Sequence, residues 1–456
     1  MVTVALLVGM VSCGGGESYT LAIASTAGGS VITPGEGTFT YGGGRVVDLV
    51  AEAEEGYQFV NWTGNVSTIA NVNAASTAIT MSGNYSITAN FEGIPQYDLT
   101  IASTAGGSVI TPGEGSFTYY AGTVVDLVAE AERGYRFVNW TGNVSTIANV
   151  NAASTAITMS GNYSIMANFG EEDAVTFPDP DLEAAIREAI GILEGPIYPS
   201  DLEGLTYFDA SRRNIADLTG LQYCIDLTSL YLYTNQISDI SPLVNLTSLT
   251  QLEIAMNQIS DISPLANLTN LTNLVLGGNQ ISDFSPLANL INLAGLFLNN
   301  SNISDISTLA NITNLTNLIG LDLGGNQISD ISPIVNFANL RSLSLYGNQI
   351  SDIAALSGLT ELRTLYLGGN QISDITPLSG LVKLGDPGWV FGWNVGLILL
   401  HLDLCNNQIT DISPLVSNEG LSEGDMIDLR GNALNQVSLN TYIPELEGRG
   451  VSVLYD

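Results

Sequence analysis

Lysine is nearly missing. Among 456 residues only Lys383 is a lysine, and 11 basic side chains stand against 45 acidic ones, for a formal net charge of -34. Phosphate repels such a chain, which excludes nucleic acid and anionic lipid head groups as partners; a basic protein surface, a glycan or divalent cations remain. Three cysteines, Cys13, Cys224 and Cys405, do not make a disulfide framework. Cys224 falls in the column of Leu246 and Leu268 and reads as a small buried apolar residue. Cys405 lies about eight strands further on, and at roughly 4.8 Å per strand the two cannot meet. Histidine occurs once, at His401, and there is no HExxH, CxxC or glycine-rich phosphate loop. His401, Asp403 and Cys405 share one strand face, but a strand imposes that spacing, and no nucleophile motif stands beside them. The chain therefore reads as a non-enzyme that needs no cofactor.

What is abundant is repetition. From Leu249, "LTQLEIAMNQISDISPLANLTN" starts a unit of 22 residues whose asparagine returns at Asn235, Asn257, Asn279, Asn326, Asn348, Asn370, Asn407 and Asn432, with Ser301 in the same column. The leucines keep step, from Leu230 and Leu232 to Ile427 and Leu429. A unit this short cannot bury its own apolar face, so it is stable only when stacked. The pattern L-x-x-L-x-L-x-x-N-x-I predicts a leucine-rich α/β solenoid, with a parallel β-sheet on one side and short helical or irregular segments on the other. Alternation at Leu252 and Ile254 points these inward and Glu253 and Ala255 outward. The asparagine follows the strand, where a carboxamide can both donate to and accept from backbone cut off from water.

"NQISDISPLANLTNL" resembles the 22-residue leucine-rich repeat of the internalins, bacterial surface proteins, over roughly residues 205 to 432. The resemblance implies a concave sheet that grips a protein ligand. Arg213 takes the asparagine's place in the first, degenerate turn.

Ahead of the array the chain says nearly the same thing twice. Tyr19 to Phe91 and Tyr97 to Phe169 repeat at a period of 78 with nine differences over 73 positions. β-Branched and aromatic runs punctuated by Gly, Pro and Asn predict two small all-β modules, 19–91 and 97–169. "GGSVITPGEGTFTY", "GYQFVNWTG" and "YSITANF" resemble the divergent internalin B-repeat. Trp62 and Trp140 read as core residues, with sugar-stacking platforms as the alternative.

Residues 1–18 carry the apolar run "MVTVALLVGMVS", too short to span a bilayer, then Cys13 and three glycines. This resembles a bacterial lipobox, in which Cys13 becomes the lipidated N-terminus, so the membrane is met only through a lipid anchor. A cleaved signal and a secreted product is the alternative. Segment 174–222 reads as the N-terminal cap of the solenoid: Asp179 N-caps a helix begun by Pro180 and stopped by Gly191, with Leu182, Ile186 and Ile190 on one face. Repeats fill 223–432, and 433–456 closes the other end.

Function on a solenoid sits where stacking makes no demand. One outward column runs Tyr231, Glu253, Val275, Phe297, Asp322, Ser344, Tyr366, Asp403, Asp428; the next includes Tyr233, Gly277, Gly324, Tyr346 and Gly368. Tyr231, Tyr233, Phe297, Tyr346 and Tyr366 with Glu253, Asp322 and Asp403 have the composition of a protein-binding surface. The enlarged turn between Leu384 and Leu402 spaces Trp389, Phe391 and Trp393 two apart, either as contacts for a partner or as packing that folds back over the solenoid's edge. A column of aspartates, Asp217 to Asp411, opens the "SPL" turns by accepting backbone N–H groups, with a calcium ladder as the alternative. The expected function is surface adhesion or recognition of a protein partner; a structural envelope stalk or surface layer, and glycan binding, are the rivals.

Overall fold

The structure is a computed structural model that describes residues 16–312, 314–385 and 400–456. It divides into two units between Glu171 and Glu172.

In the first unit each β module is two sheets packed face to face. The first module contains β1 (Ser18–Ser25), β2 (Gly29–Thr33), β3 (Gly37–Gly42), β4 (Val46–Ala53), β5 (Tyr57–Gly64), β6 (Ser76–Thr80) and β7 (Tyr85–Gly93). One sheet has the order β3-β1-β7-β5 and the other β2-β4-β6. The second module repeats this from β8 (Gln96–Ser103) to β14 (Tyr163–Glu171). Alternating residues such as Leu21, Ile23, Leu49 and Ile87 meet between the sheets. Trp62 and Trp140 sit at the centre, 1% exposed, and each indole N–H donates to a carbonyl, Ala74 O and Ala152 O, at 3.0 Å. Both are core residues, and the sugar-platform alternative is withdrawn: a ring sealed between sheets offers no face to a glycan.

The second unit opens with α1 (Pro180–Ile190). Asp179 caps it, accepting from Asp181 and Leu182 N–H with one carboxylate oxygen, while the other accepts from Ala216 and Asp217. One side chain thus starts the helix and ties it to the first turn of the array. Leu182, Ala185 and Ile186 are buried against that turn. From β15 (Tyr207–Asp209) to β25 (Ser452–Leu454) eleven strands form one sheet in strict chain order. Neighbours are parallel and in register, Leu230 to Leu252 to Leu274. Each cap contributes a strand, because extending the sheet pairs the backbone that an abrupt end would leave bare. On the side away from the sheet the "SPL" strings open short 3-10 turns such as Ser263–Asn267.

The asparagine ladder makes three contacts per turn. Asn348 Nδ2 donates to Leu323 O and Leu345 O at 3.0 Å, and its Oδ1 accepts from Ile328 N–H at 3.0 Å. The same set recurs at Asn257, Asn279 and Asn370. The residue before each ladder position is left-handed, including Gly325, Gly347 and Gly369 but also Thr234 and Met256 at φ 57° and 55°. Ser301 is too short for the triple contact: its Oγ accepts from Gly278 N–H and donates to Asn299 O. Two further ladders join the flank. Thr228, Thr250 and Thr272 hydroxyls donate to Thr206, Thr228 and Thr250 carbonyls, and Asn270, Asn292, Asn317 and Asn339 amides donate to carbonyls one turn back. The aspartates do open turns: Asp239, Asp261 and Asp283 each accept the backbone N–H and the hydroxyl of the serine two residues on. These bonds to Ser285 hold the Asp283 carboxyl below its ordinary value.

Replacing Asn348 by alanine strands three buried backbone groups and is expected to cost about 2–4 kcal/mol, while Ser301→Asn, which restores the carboxamide, gains about 1 kcal/mol. Urea midpoints of the two variants check both signs.

Candidate functional site

The sheet's inward residues are spent on stacking, and its outward residues are what is left. Leu230, Leu252, Leu274 and Leu296 are at most 1% exposed, as are Leu232, Ile254, Leu276 and Leu298. Between them Tyr231, Glu253, Val275 and Phe297 stand in register on the other face, followed by Asp322, Ser344, Tyr366, Asp403 and Asp428. Most of these are half-buried. A third outward column, beginning Tyr207, Ser229, Gln251, comes from residues two places earlier. It escaped sequence reasoning because the first turn was read as degenerate, although Phe208 aligns with Leu230.

At the start of the array the rings gather. Tyr207, 58% exposed, lies against Tyr231 with centroids 5.4 Å apart. The Tyr231 hydroxyl donates to Gln251 Oε1 at 2.7 Å. The Arg212 guanidinium sits 5.0 Å from the Tyr233 ring centroid, a cation–π contact. Met256 is exposed beside them in sequence and register.

Further along, small residues make room for large ones. A Cβ added at Gly324 would lie 2.5 Å from the Tyr346 ring, so this glycine is the seat on which that tyrosine lies. Gly277 likewise receives Asn299, and Gly368 the Asp403 carboxylate. Tyr346 remains 47% exposed. Tyr366 is half-buried, and burial, then the nearby Asp403, pushes its hydroxyl above the ordinary value.

Asp322 departs from expectation. It belongs to the outward column but is only 6% exposed, set between Phe297 and Ser344. Its Oδ1 accepts the Gly324 N–H at 2.8 Å. Burial raises its carboxyl above the ordinary value, against the lowering effect of Gly324 and Ser344. It is therefore a part of the sheet rather than an open contact point.

The His401, Asp403, Cys405 row does not assemble as a relay. His401 Nδ1 accepts the Met426 N–H at 3.3 Å and lies 3.3 Å from Asp425 Oδ1. The Cys405 thiol is pushed up to about 11, by burial first and Asp403 next, so it is no ready nucleophile. Asp403, Cys405 and Asp428 offer ligand atoms within 4.8 Å of one another, but Arg430 already clasps the Asp428 carboxylate at 2.5 Å. Cys224 is buried, with its thiol pushed up to about 12 by desolvation. Cys13, Trp389, Phe391 and Trp393 lie outside the described residues.

Comparison with known proteins follows the same division of the chain. The Divergent InlB B-repeat domain matches residues 19–95 and 97–173. Leucine Rich repeats match residues 247–289, 316–358 and 338–380. Among solved structures, the internalin InlF of Listeria monocytogenes is 33% identical, over 61% of this chain and 91% of its own, with a TM-score of 0.48. Internalin C2 of the same organism is 32% identical, over 55% of this chain and 97% of its own, with a TM-score of 0.40. No curated protein matches the chain.

The raised carboxyl of Asp322 has a stability consequence with a definite sign. A carboxyl whose folded value lies above its unfolded one favours the fold most when protonated, and that advantage is lost as pH rises through the raised value. Asp322→Asn should therefore melt higher than wild type at pH 7, and the gap should close as pH falls toward 3.8, the ordinary value. Paired thermal melts across that range read the difference directly.

Proposed function

Since the chain belongs to the internalin-like leucine-rich-repeat proteins and carries two divergent InlB B-repeat domains, we propose that it is a non-enzymatic recognition protein of the cell surface. Its partner is a protein, taken on the outward face of the eleven-stranded sheet. One observation carries this reading: the half-buried or exposed rings of Tyr231, Tyr233, Phe297, Tyr346 and Tyr366 contribute to a face that the core does not use. Rings held on a rigid sheet lose little entropy on binding and supply most of the energy of such contacts, while carboxylates set register and encounter rate. The small cost of keeping them there is visible in Gly324, which gives up a side chain to seat Tyr346.

Display at the surface is part of the same proposal. No helix among the described residues is long and apolar enough to cross a membrane. Attachment is assigned to the lipid on Cys13 that the "VSCGGG" string suggests, and in sequence the two β modules follow it ahead of the array.

Tyr346→Ser with Tyr366→Ser is expected to abolish capture of the partner from the organism's surroundings while moving the melting temperature by no more than a few degrees; equal capture by wild type and variant would reject the face. Metabolic labelling with a radioactive fatty acid should mark the wild type and spare Cys13→Ala, and an unlabelled wild type would remove the anchor.

A further inference from the structure

The outward carboxylates of the sheet are not equally provided for. Asp209 Oδ1 accepts the Ser211 N–H at 3.0 Å, Asp322 accepts from Gly324, Asp403 accepts the Cys405 N–H, and Asp428 holds Arg430. Glu253 is the exception. It is half-buried on the third strand of the array, next to the strand of Tyr231, and among the described residues its carboxylate has neither hydrogen bond nor ion pair.

Its surroundings make that costly. Across the register Asp209, Tyr231 and Glu253 stand side by side on β15 and the next two strands, so one tyrosine separates two carboxylates. The Tyr207 ring closes one side at 5.4 Å from Tyr231. Burial raises the Glu253 carboxyl above its ordinary value, and Asp209 raises it further; the same two anions help to raise Tyr231. Two arginines stand near on the adjoining turn, but Arg212 is engaged over Tyr233 and Arg213 pairs with Glu188 at 2.6 Å. A metal ion fits poorly, since among the described residues the acidic cluster compact enough to hold one lies at Asp403, Cys405 and Asp428, at the far end of the sheet. Two carboxylates flanking an electron-rich ring suit a different cation: an ammonium or guanidinium on a flexible stem, whose methylenes lie along the rings while the head pairs with the acids.

We propose that Asp209, Tyr231 and Glu253, with Tyr207 as a side wall, form a pocket for a lysine or arginine side chain of a basic protein partner. The proposal rests on the reading of this face as the partner-binding surface and adds the chemistry of what it takes. Charge complementarity supports it at every scale, from one unpaired glutamate to a chain of net charge -34. Such a chain draws basic surfaces toward it, and the pocket gives the encounter a fixed end point.

The test uses the full chain and three fluorescein-labelled peptides of equal length: glycine–lysine, glycine–arginine and glycine–citrulline, the last a neutral match for arginine. Anisotropy at low salt should rise with the two cationic peptides and stay flat with citrulline. Glu253→Gln should weaken the cationic peptides about tenfold, and the wild-type signal should fall steeply between low and physiological salt. Many other acids could attract a cation diffusely, so Asp261→Gln, on a turn of the opposite flank, serves as the matched charge control and should bind like wild type. Because Glu253→Gln removes an unpaired half-buried charge, it should also melt no lower than wild type, which rules out loss through unfolding. Equal binding of citrulline, or equal losses in the two variants, would overturn the pocket. If the pocket fails while Tyr346→Ser with Tyr366→Ser still abolishes partner capture, the face stands and only its cationic ligand falls; if both fail, the face falls too.

Discussion

A buried backbone that bends must find partners for its polar groups without water, and in this array one carboxamide per turn supplies them. Asn348 binds two carbonyls and one N–H, joining its own turn to the one before. An amide is the side-chain group suited to this, since it donates and accepts from one rigid plane. Thr and Asn ladders on the flank repeat the device, and the aspartates settle the next bend by binding their own turn's N–H groups. Each turn is thus fixed to its neighbour by polar contacts, while the leucines between them fill the core.

Because stacking is settled by the inward and ladder columns, the outward columns are released from it. They vary from turn to turn where the inward ones scarcely do: Tyr231, Glu253, Val275 and Phe297 stand beside Leu230, Leu252, Leu274 and Leu296. A surface that can change without loss of fold is the kind on which recognition is built. The glycines of the outward face belong to this logic, since each lets a neighbouring side chain lie flat.

Much of this was legible in the sequence because stacking imposes a period. Ladder, core columns, aspartate turns and the capped helix at Asp179 follow from spacing and residue type, and the twofold β repeat is plain in the letters. Less legible was anything set by neighbours across strands. Alternation says that Asp322 faces outward, but not that Phe297 and Ser344 cover it. Nor does it say that Gly324 is a seat for Tyr346, one full repeat of letters away. Strand β15 keeps the 22-residue spacing, Phe208 to Leu230, but lay in a stretch read as cap, and with it went Tyr207 and Asp209; β25 breaks the spacing outright, with Val453 26 residues after Ile427. Trp62 and Trp140 stood between two readings until their burial decided for the core.

The ladder holds the array together, and the outward face is independent of it. Native-state hydrogen exchange at the ladder-bound amides Ile237, Ile259, Ile328 and Ile350, compared between wild type and a chain with Tyr231, Phe297, Tyr346 and Tyr366 all changed to serine, tests it most directly. Equal protection in the two chains is the predicted result, and collapse of protection in the substituted chain would contradict the account.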